Sequence, residues 1–186
     1  HGRPLEQSRR VVGNGASGGA RWQQVVGGLL NLAMVEQRQT LEGHVAVPVA
    51  DLIDELLSAQ SARIARKRLN VEQLSPADLK VTGERFLLRQ AFANLLENAL
   101  DFTPEPGTLR FVAQRDGERW KVSLFNSAEP IPDYALPRLS ERFYSLPRPD
   151  SGRKSTGLGL NFVEEVVQLH GGALQIGNVE GGVLVS

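Results

Sequence analysis

Two asparagines, Asn94 and Asn98, are the residues of this 186-residue chain whose types and spacing point most directly to chemistry. They stand four apart inside an apolar helical pattern, and residues i and i+4 lie one above the other on a helix face. Two carboxamides on one face are costly to bury unless polar groups meet them. A hydrated metal ion or a nucleotide phosphate would do so, and hydrogen bonds to neighbouring backbone are the alternative.

A glycine-rich segment, residues 155–160, carries the second chemical signal because it opens directly into a predicted helix. Gly157 and Gly159 let backbone N–H groups approach a ligand closely, and a helix N-terminus favours phosphate. The order of residues excludes a P-loop, and no parallel β-α-β unit surrounds the segment as in a Rossmann fold. Taken alone, the segment is also compatible with a plain turn.

The elements that must position these residues follow from the periodicity of the apolar side chains. After residue 48 the sequence predicts helices over residues 49–67, 84–101 and 158–170. It predicts short strands over residues 69–74, 79–82, 109–114, 120–125, 173–176 and 183–185. Residues 126–156 contain five prolines and are predicted to be irregular, either as a disordered loop or as a functional lid. This order predicts an α/β (α+β) two-layer sandwich with helices on one face of a largely antiparallel sheet.

The first part of the chain has a weaker pattern. Residues 11–20 are rich in glycine and poor in helix formers, so residues 1–20 are predicted to be a flexible segment. Apolar residues at helical spacing over residues 21–42 predict one helix that ends near Gly43. Two adjacent glycines at positions 27 and 28 weaken the start of that helix by about 1 kcal/mol each relative to alanine.

Composition excludes several classes of function. The 21 Lys and Arg residues balance the 21 Asp and Glu residues, so the chain has no electrostatic footprint for nucleic acid. The absence of cysteine excludes disulfides, thiol catalysis and thiolate metal sites, and the three scattered histidines disfavour a zinc site. Because no run of eighteen apolar residues occurs, we expect a membrane to be reached only through further segments of a longer parent protein.

Four short segments occur in an order that is much more specific than any one of them. They are residues 94–104, 131–132, 141–144 and 157–160. These segments are similar to the N box, the end of the G1 box, the F box and the G2 box of one family. From about residue 48 onward, the chain resembles the catalytic, ATP-binding domain of sensor histidine kinases, which has the Bergerat fold. The sequences of residues 101–105, 131–136 and 141–148 are most similar to the CreC type of sensor kinase.

The resemblance implies a role for each matching residue. Asn98 would coordinate Mg²⁺ through its side-chain oxygen, and Asn94 would support the metal or the phosphates as part of the catalytic machinery. Arg142 would meet the γ-phosphate, where charge develops during phosphoryl transfer. Phe102 would pack near the adenine, and Asn126 would accept a hydrogen bond from the adenine amino group. The other residues expected to contact ATP are Ile131, Tyr144, Lys154, Ser155, Thr156, Gly157, Leu158, Gly159 and Leu160.

Two departures from the family pattern predict weaker ATP binding and a loosely packed lid. The G1 box usually contains Asp-x-Gly-x-Gly, but the aligned residues 126–130 have asparagine first and no glycine. Ser140 replaces the first aromatic residue of the F box. The alternative is therefore a degenerate pseudokinase that acts as a signalling scaffold with weak or no nucleotide binding. An ATP hydrolase of the gyrase, Hsp90 or MutL kind is disfavoured, because those relatives have glutamate where Asn94 stands and a carboxamide is no general base.

As a whole, the resemblance implies transfer of the ATP γ-phosphoryl group to a histidine of a dimerisation domain, and then relay to the receiver domain of a response regulator. Residues 21–47 resemble part of a dimerisation helix and its linker, and residues 48–186 the catalytic domain, so the full-length protein is expected to be a homodimer. None of His1, His44 and His170 matches the phosphoacceptor pattern, and His170 is expected to cap a helix. The family further implies the cytoplasmic portion of an inner-membrane sensor.

Overall fold

A computed structural model describes the backbone of residues 4–186 and the side chains of residues 18–186, so His1 lies outside the described part. The helices are α1 (Pro4–Glu36), α2 (Val49–Ala59), α3 (Ser61–Arg66), α4 (Arg85–Phe102) and α5 (Gly159–Leu169). The strands are β1 (Val45–Pro48), β2 (Leu69–Leu74), β3 (Lys80–Gly83), β4 (Gly107–Asp116), β5 (Arg119–Ser127), β6 (Ile176–Val179) and β7 (Gly182–Val185). A 3₁₀ turn covers Leu136–Arg138.

The strands form one large sheet and one small one. The large sheet has the order β2-β4-β5-β7-β6, in which β2 and β4 run parallel and the other neighbouring pairs run antiparallel. The small sheet pairs β1 with β3 in antiparallel fashion. The predicted two-layer α/β architecture with a largely antiparallel sheet is confirmed.

Helix α4 is fixed between two apolar clusters. Its residues Leu96 and Leu100 belong to the main core, where they join Phe111 of β4 and the buried face of α2. Its earlier residues Leu87 and Ala91 belong to a second cluster formed with α1 and α5. Because apolar contacts hold the helix on two sides, its orientation and the direction of its polar face are set by packing.

Helix α1 runs through the segment for which the sequence predicts a loop. The predicted loop over residues 11–20 is wrong in its secondary structure, and the helix ends at Glu36 rather than near Gly43. At the C-terminal end of the helix, Leu32 and Val35 are buried against α5. Since helix formation is cooperative, a docked end lets the helix continue through a segment of low propensity.

Most other element boundaries agree closely with prediction, with three exceptions. The helix predicted over residues 49–67 is two helices, because Gln60 leaves the helical conformation with φ −103° and ψ 10°. Strand β1 has no counterpart in the prediction, since four residues with mixed burial give no clear alternation. The strand predicted over residues 173–176 begins only at Ile176. Residues 126–156 are irregular apart from the end of β5 and the 3₁₀ turn, as predicted.

Candidate functional site

A cavity of about 540 Å³ lies between α4, the start of α5, the irregular segment 126–156 and one side of α1. A volume of this size is typical of small-molecule sites. Twelve of the residues singled out by sequence line it: Asn94, Asn98, Phe102, Asn126, Ile131, Tyr144, Ser155, Thr156, Gly157, Leu158, Gly159 and Leu160. The structure therefore brings together residues that are spread over more than sixty positions of sequence.

The two asparagines of α4 both face the cavity, but they differ in their hydrogen bonds. Asn94 Oδ1 accepts from Gln90 Nε2 (3.0 Å), and Asn94 Nδ2 donates to the backbone oxygen of Gly159 (3.4 Å). The carboxamide of Asn98 has no hydrogen-bond partner among the described residues. Asn94 thus ties α4 to the start of α5, whereas the oxygen of Asn98 is available to a ligand.

The start of α5 presents backbone N–H groups to the cavity. Its N-cap residue, Leu158, provides no side-chain hydrogen bond, and the first N–H groups of a helix have no partner within it. Gly157 directly precedes the N-cap residue and has φ +71°, in the left-handed region. A Cβ at that position would lie 2.5 Å from the carbonyl carbon of Phe143, so only glycine fits there without a backbone shift. These groups form a site suited to an anion such as phosphate.

Strands β5, β6 and β7 line the cavity with apolar residues of β6 and β7 and with one buried carboxamide of β5. Asn126 of β5 is 6% exposed, and no described residue hydrogen-bonds its side chain. The neighbouring loop is held by Asn178 of β6, which accepts from Ile131 N (2.8 Å) and donates to Ile131 O (2.8 Å). Sequence reasoning missed Asn178, because a single asparagine in a hairpin gives no local pattern. This part of the cavity can accept a flat apolar group that carries a hydrogen-bond donor.

Two predicted site residues, Arg142 and Lys154, are not among the residues that line the cavity. The guanidinium of Arg142 makes an ion pair with Glu36 at the end of α1. Lys154 is exposed, and its backbone pairs with Pro147 inside the irregular segment. The structure therefore leaves both cations outside the space where the other predicted residues meet.

A charged cluster at the cavity wall was not predicted from sequence. Asp101 of α4 is 5% exposed, and its carboxylate contacts two guanidinium groups. Arg63 of α3 pairs with Oδ1, and Nη2 of Arg148 from the irregular segment lies 2.9 Å from Oδ2. Lys67 donates from Nζ to the Leu100 carbonyl oxygen (2.5 Å) beside this cluster. Its members are far apart in sequence, so spacing alone gave no signal.

Helix α1 supplies the remaining wall. Gln24, Gly27, Gly28 and Asn31 line the cavity beside the start of α5. Gly28, which sequence reasoning treated only as a weak helix former, allows close packing here. A Cβ added at Gly28 would lie 3.0 Å from Leu158 Cδ1. The site is thus formed partly by the helix that precedes the sandwich.

The segment that follows α1 is fastened to the N-terminus of α4. Arg38 makes a two-pronged contact with the Glu84 carboxylate, in which Nη1 donates to Oε2 over 2.8 Å. This side-chain hydrogen bond lowers the pKa of Glu84 below its ordinary value of 4.5. His170 is the C-cap residue of α5, as predicted, and its Nε2 accepts from Glu84 N (3.2 Å). The three residues join the segment after α1, the start of α4 and the end of α5.

Comparison with known proteins identifies the family. The family described as histidine kinase-, DNA gyrase B- and HSP90-like ATPase matches residues 83–185, more than half of the chain. The chain belongs to this family. Membership explains why the N-box helix and the glycine-rich start of α5 face one cavity, and it confirms that the chain carries an ATP-binding domain of the Bergerat type.

Two relatives of the chain are sensor proteins. The sensor protein CreC of Escherichia coli K12 is 43% identical over the whole chain, which spans 39% of the relative. The phosphate regulon sensor protein PhoR of Pseudomonas aeruginosa is 31% identical over 96% of the chain and 39% of its own length. The predicted similarity to sensor histidine kinases of the CreC type is confirmed. The chain spans about two fifths of the length of these relatives.

A solved structure supports the fold across the entire chain. The histidine kinase ThkA, in a crystal structure with the response regulator TrrA, superposes with a TM-score of 0.73 and 22% identity. The match covers 100% of this chain and 51% of ThkA. Within the described residues, no helix is long and apolar enough to cross a membrane.

Proposed function

We propose that this chain is the ATP-binding catalytic part of a sensor histidine kinase. It would bind Mg-ATP in the cavity and transfer the γ-phosphoryl group to a histidine of a dimerisation domain, for relay to the receiver domain of a response regulator. The observation that carries the proposal is the asparagine face of α4 opposite the glycine-rich start of α5, in one cavity of a family member. This arrangement supplies a metal-binding oxygen and phosphate-binding N–H groups side by side.

The cavity suggests how ATP would lie. The buried Asn126 carboxamide would accept a hydrogen bond from the adenine amino group, with Phe102 and Ile131 beside the ring. The phosphates would reach the N–H groups at residues 157–160, where Ser155 and Thr156 add hydroxyl donors and Tyr144 completes the wall. This orientation places the neutral end of ATP in the apolar region and its charged end at the helix start.

The donor set near Asn98 fits Mg²⁺. The metal prefers oxygen ligands, keeps several waters and shares phosphate oxygens, so it needs only one or two protein ligands. Asn98 offers an uncommitted oxygen, and the described residues contain no cluster of His, Cys, Asp or Glu able to hold a metal by themselves. Bound Mg²⁺ would neutralise phosphate charge, and Asn98 would hold it from the α4 side.

The residue type at position 94 favours transfer to a protein over hydrolysis. Asn94 already donates to Gly159 and accepts from Gln90, so its role would be to fix α4 against the phosphate-binding turn. A carboxamide does not accept a proton from water. Arg142 would reach the γ-phosphate, as the family resemblance implies, after its ion pair with Glu36 opens.

A pseudokinase scaffold is the second candidate, and residues 128–130 favour it because they replace the flexible G1 glycines. These residues nevertheless line an open cavity, which supports nucleotide binding. Calorimetric titration with Mg²⁺ and a non-hydrolysable ATP analogue separates the two functions. We expect binding that weakens at least tenfold in Asn98→Ala. No binding at millimolar nucleotide would support the scaffold instead.

The transfer step needs a separate test. Incubation of the chain with [γ-³²P]ATP and an isolated dimerisation domain is expected to give acid-labile phosphohistidine. ATP turnover that disappears in Asn94→Ala without any phosphohistidine would indicate a hydrolase instead.

We further propose that residues 48–186 form the catalytic domain and that residues 21–47 belong to the dimerisation helix and its linker. A row of apolar side chains on α1 is exposed, including Trp22 (71%) and Leu30 (66%). A second copy of the chain in the full-length homodimer would cover this row. The parent protein would be an inner-membrane sensor with this part in the cytoplasm.

A further inference from the structure

The charge of the cavity does not match that of its proposed ligand. Three carboxylate residues line it: Glu97, Asp101 and Glu129. Among the described lining residues, Arg148 is the one with a positive charge. A nucleotide triphosphate carries several negative charges, so Mg²⁺ and this guanidinium must offset both the phosphates and the carboxylates.

The contacts of Arg148 hold its side chain at the cavity wall. Nη2 lies 2.9 Å from the nearly buried Asp101 carboxylate, whose other oxygen is held by Arg63. The backbone N–H of Arg148 donates to Arg153 O (2.9 Å), which closes a small hairpin in the irregular segment 126–156, named the lid from here on. The side chain is therefore positioned from α4 and from the lid together.

One nitrogen of this guanidinium has no acceptor. Nε of Arg148 is buried and lacks a hydrogen-bond partner in the described part of the chain. Because Nε has no exposed surface, a ligand must contact the terminal Nη groups of this side chain, which is 32% exposed. The fork of donors on arginine matches phosphate geometry, so Nη2 can hold Asp101 while Nη1 binds phosphate.

We propose that Arg148 is a phosphate-binding residue of the nucleotide site, and that Asp101 is a positioning residue that holds it there. The inference rests on the proposed function and deepens it. Arg148 lines the cavity in the structure described, whereas Arg142 must first leave Glu36. The lid thereby gains a charge-dependent contact with ATP that does not depend on the altered G1 loop.

The test compares two lid arginines by calorimetry in the presence of Mg²⁺, using a non-hydrolysable ATP analogue and AMP as ligands. Arg148→Ala is expected to weaken binding of the analogue on the order of tenfold and to change AMP binding less than twofold. Arg148→Lys should fall between, since it keeps the charge and loses the fork. Arg153→Ala is the matched control, because Arg153 is exposed and does not line the cavity, and it should bind like wild type.

Two results would overturn the inference while leaving the proposed function intact. One is unchanged binding of the analogue in Arg148→Ala. The other is an equal loss of affinity for the analogue and AMP, which would mean that Arg148 only packs the lid. A wild-type chain that binds neither nucleotide would overturn the proposed function and this inference with it.

Discussion

At the scale of single residues, the site combines family features with one unusual acceptor. Asn126 supplies a neutral oxygen at the position proposed for the adenine contact, and it is 6% exposed. We expect Asn126→Asp to bind the ATP analogue several-fold more tightly, because a charged acceptor strengthens the hydrogen bond. The same change should lower the melting temperature of the nucleotide-free chain, since it buries an unpaired carboxylate. Calorimetry and thermal unfolding measure the two effects, and weaker nucleotide binding would contradict this assignment.

Gly157 allows a second prediction at this scale. Gly157→Ala places a Cβ 2.5 Å from the Phe143 backbone in addition to forcing φ +71° on alanine. The control is Gly152→Ala, which has φ +65° but no neighbour within 4 Å. We expect the control to cost about 1 kcal/mol of unfolding free energy and Gly157→Ala to cost more and to weaken nucleotide binding. Equal costs in denaturant unfolding would show that the close approach is unimportant.

The residues of the site differed in how well sequence could predict them. Asn94 and Asn98 were predictable because helical periodicity places them on one face whatever the rest of the chain does. Asp101 and Arg148 meet across 47 positions, through a segment without periodicity, and nothing local encodes that contact. The same holds for Asn178, whose partner is a loop backbone 47 positions away. Local chemistry was therefore predictable, and long-range polar contacts were not.

At the scale of elements, α1 is the helix for which the sequence-based prediction of secondary structure was wrong. Its glycines indicated a loop, but burial of Leu32 and Val35 against α5 decides the outcome. Strands β2, β4 and β5 were predictable because their apolar alternation is strong, and α4 because its apolar pattern is continuous. Packing against another element overrides intrinsic propensity, and packing is not visible in a local window.

The docking of α1 can be tested with two leucines that are two positions apart. Leu32 is 1% exposed and Leu30 is 66% exposed. Leu32→Ala is expected to cost about 2–5 kcal/mol of unfolding free energy, or to release α1 in an earlier transition, because it leaves a cavity in the second apolar cluster. Leu30→Ala should cost less than about 0.5 kcal/mol. Denaturant unfolding followed by circular dichroism measures both, and similar costs would mean that α1 does not pack as described.

At the scale of the whole molecule, one ion pair links stability to pH. Arg38 lowers the pKa of Glu84 in the folded chain, so the folded state holds this carboxylate ionised more strongly than the unfolded state does. The resulting stabilisation is present above pH 4.5 and is lost as the pH falls below that value through the lowered pKa. We expect Glu84→Gln to lower the melting temperature near neutral pH and to flatten its decline on acidification. Parallel curves for the two proteins between pH 3 and pH 7 would contradict this linkage.

The wall that α1 gives to the cavity has a kinetic consequence. A nucleotide in the cavity would have residues of segment 126–156 on one side and Gln24, Gly27 and Asn31 on another, so both parts would narrow its path of escape. Displacement of α1 should therefore shorten the residence time of ATP even where the contacts to adenine and phosphate stay intact. A fluorescent ATP analogue should dissociate faster from Leu32→Ala than from Leu30→Ala in stopped-flow measurements. A signal that displaces α1 would then change the residence time of nucleotide in the cavity.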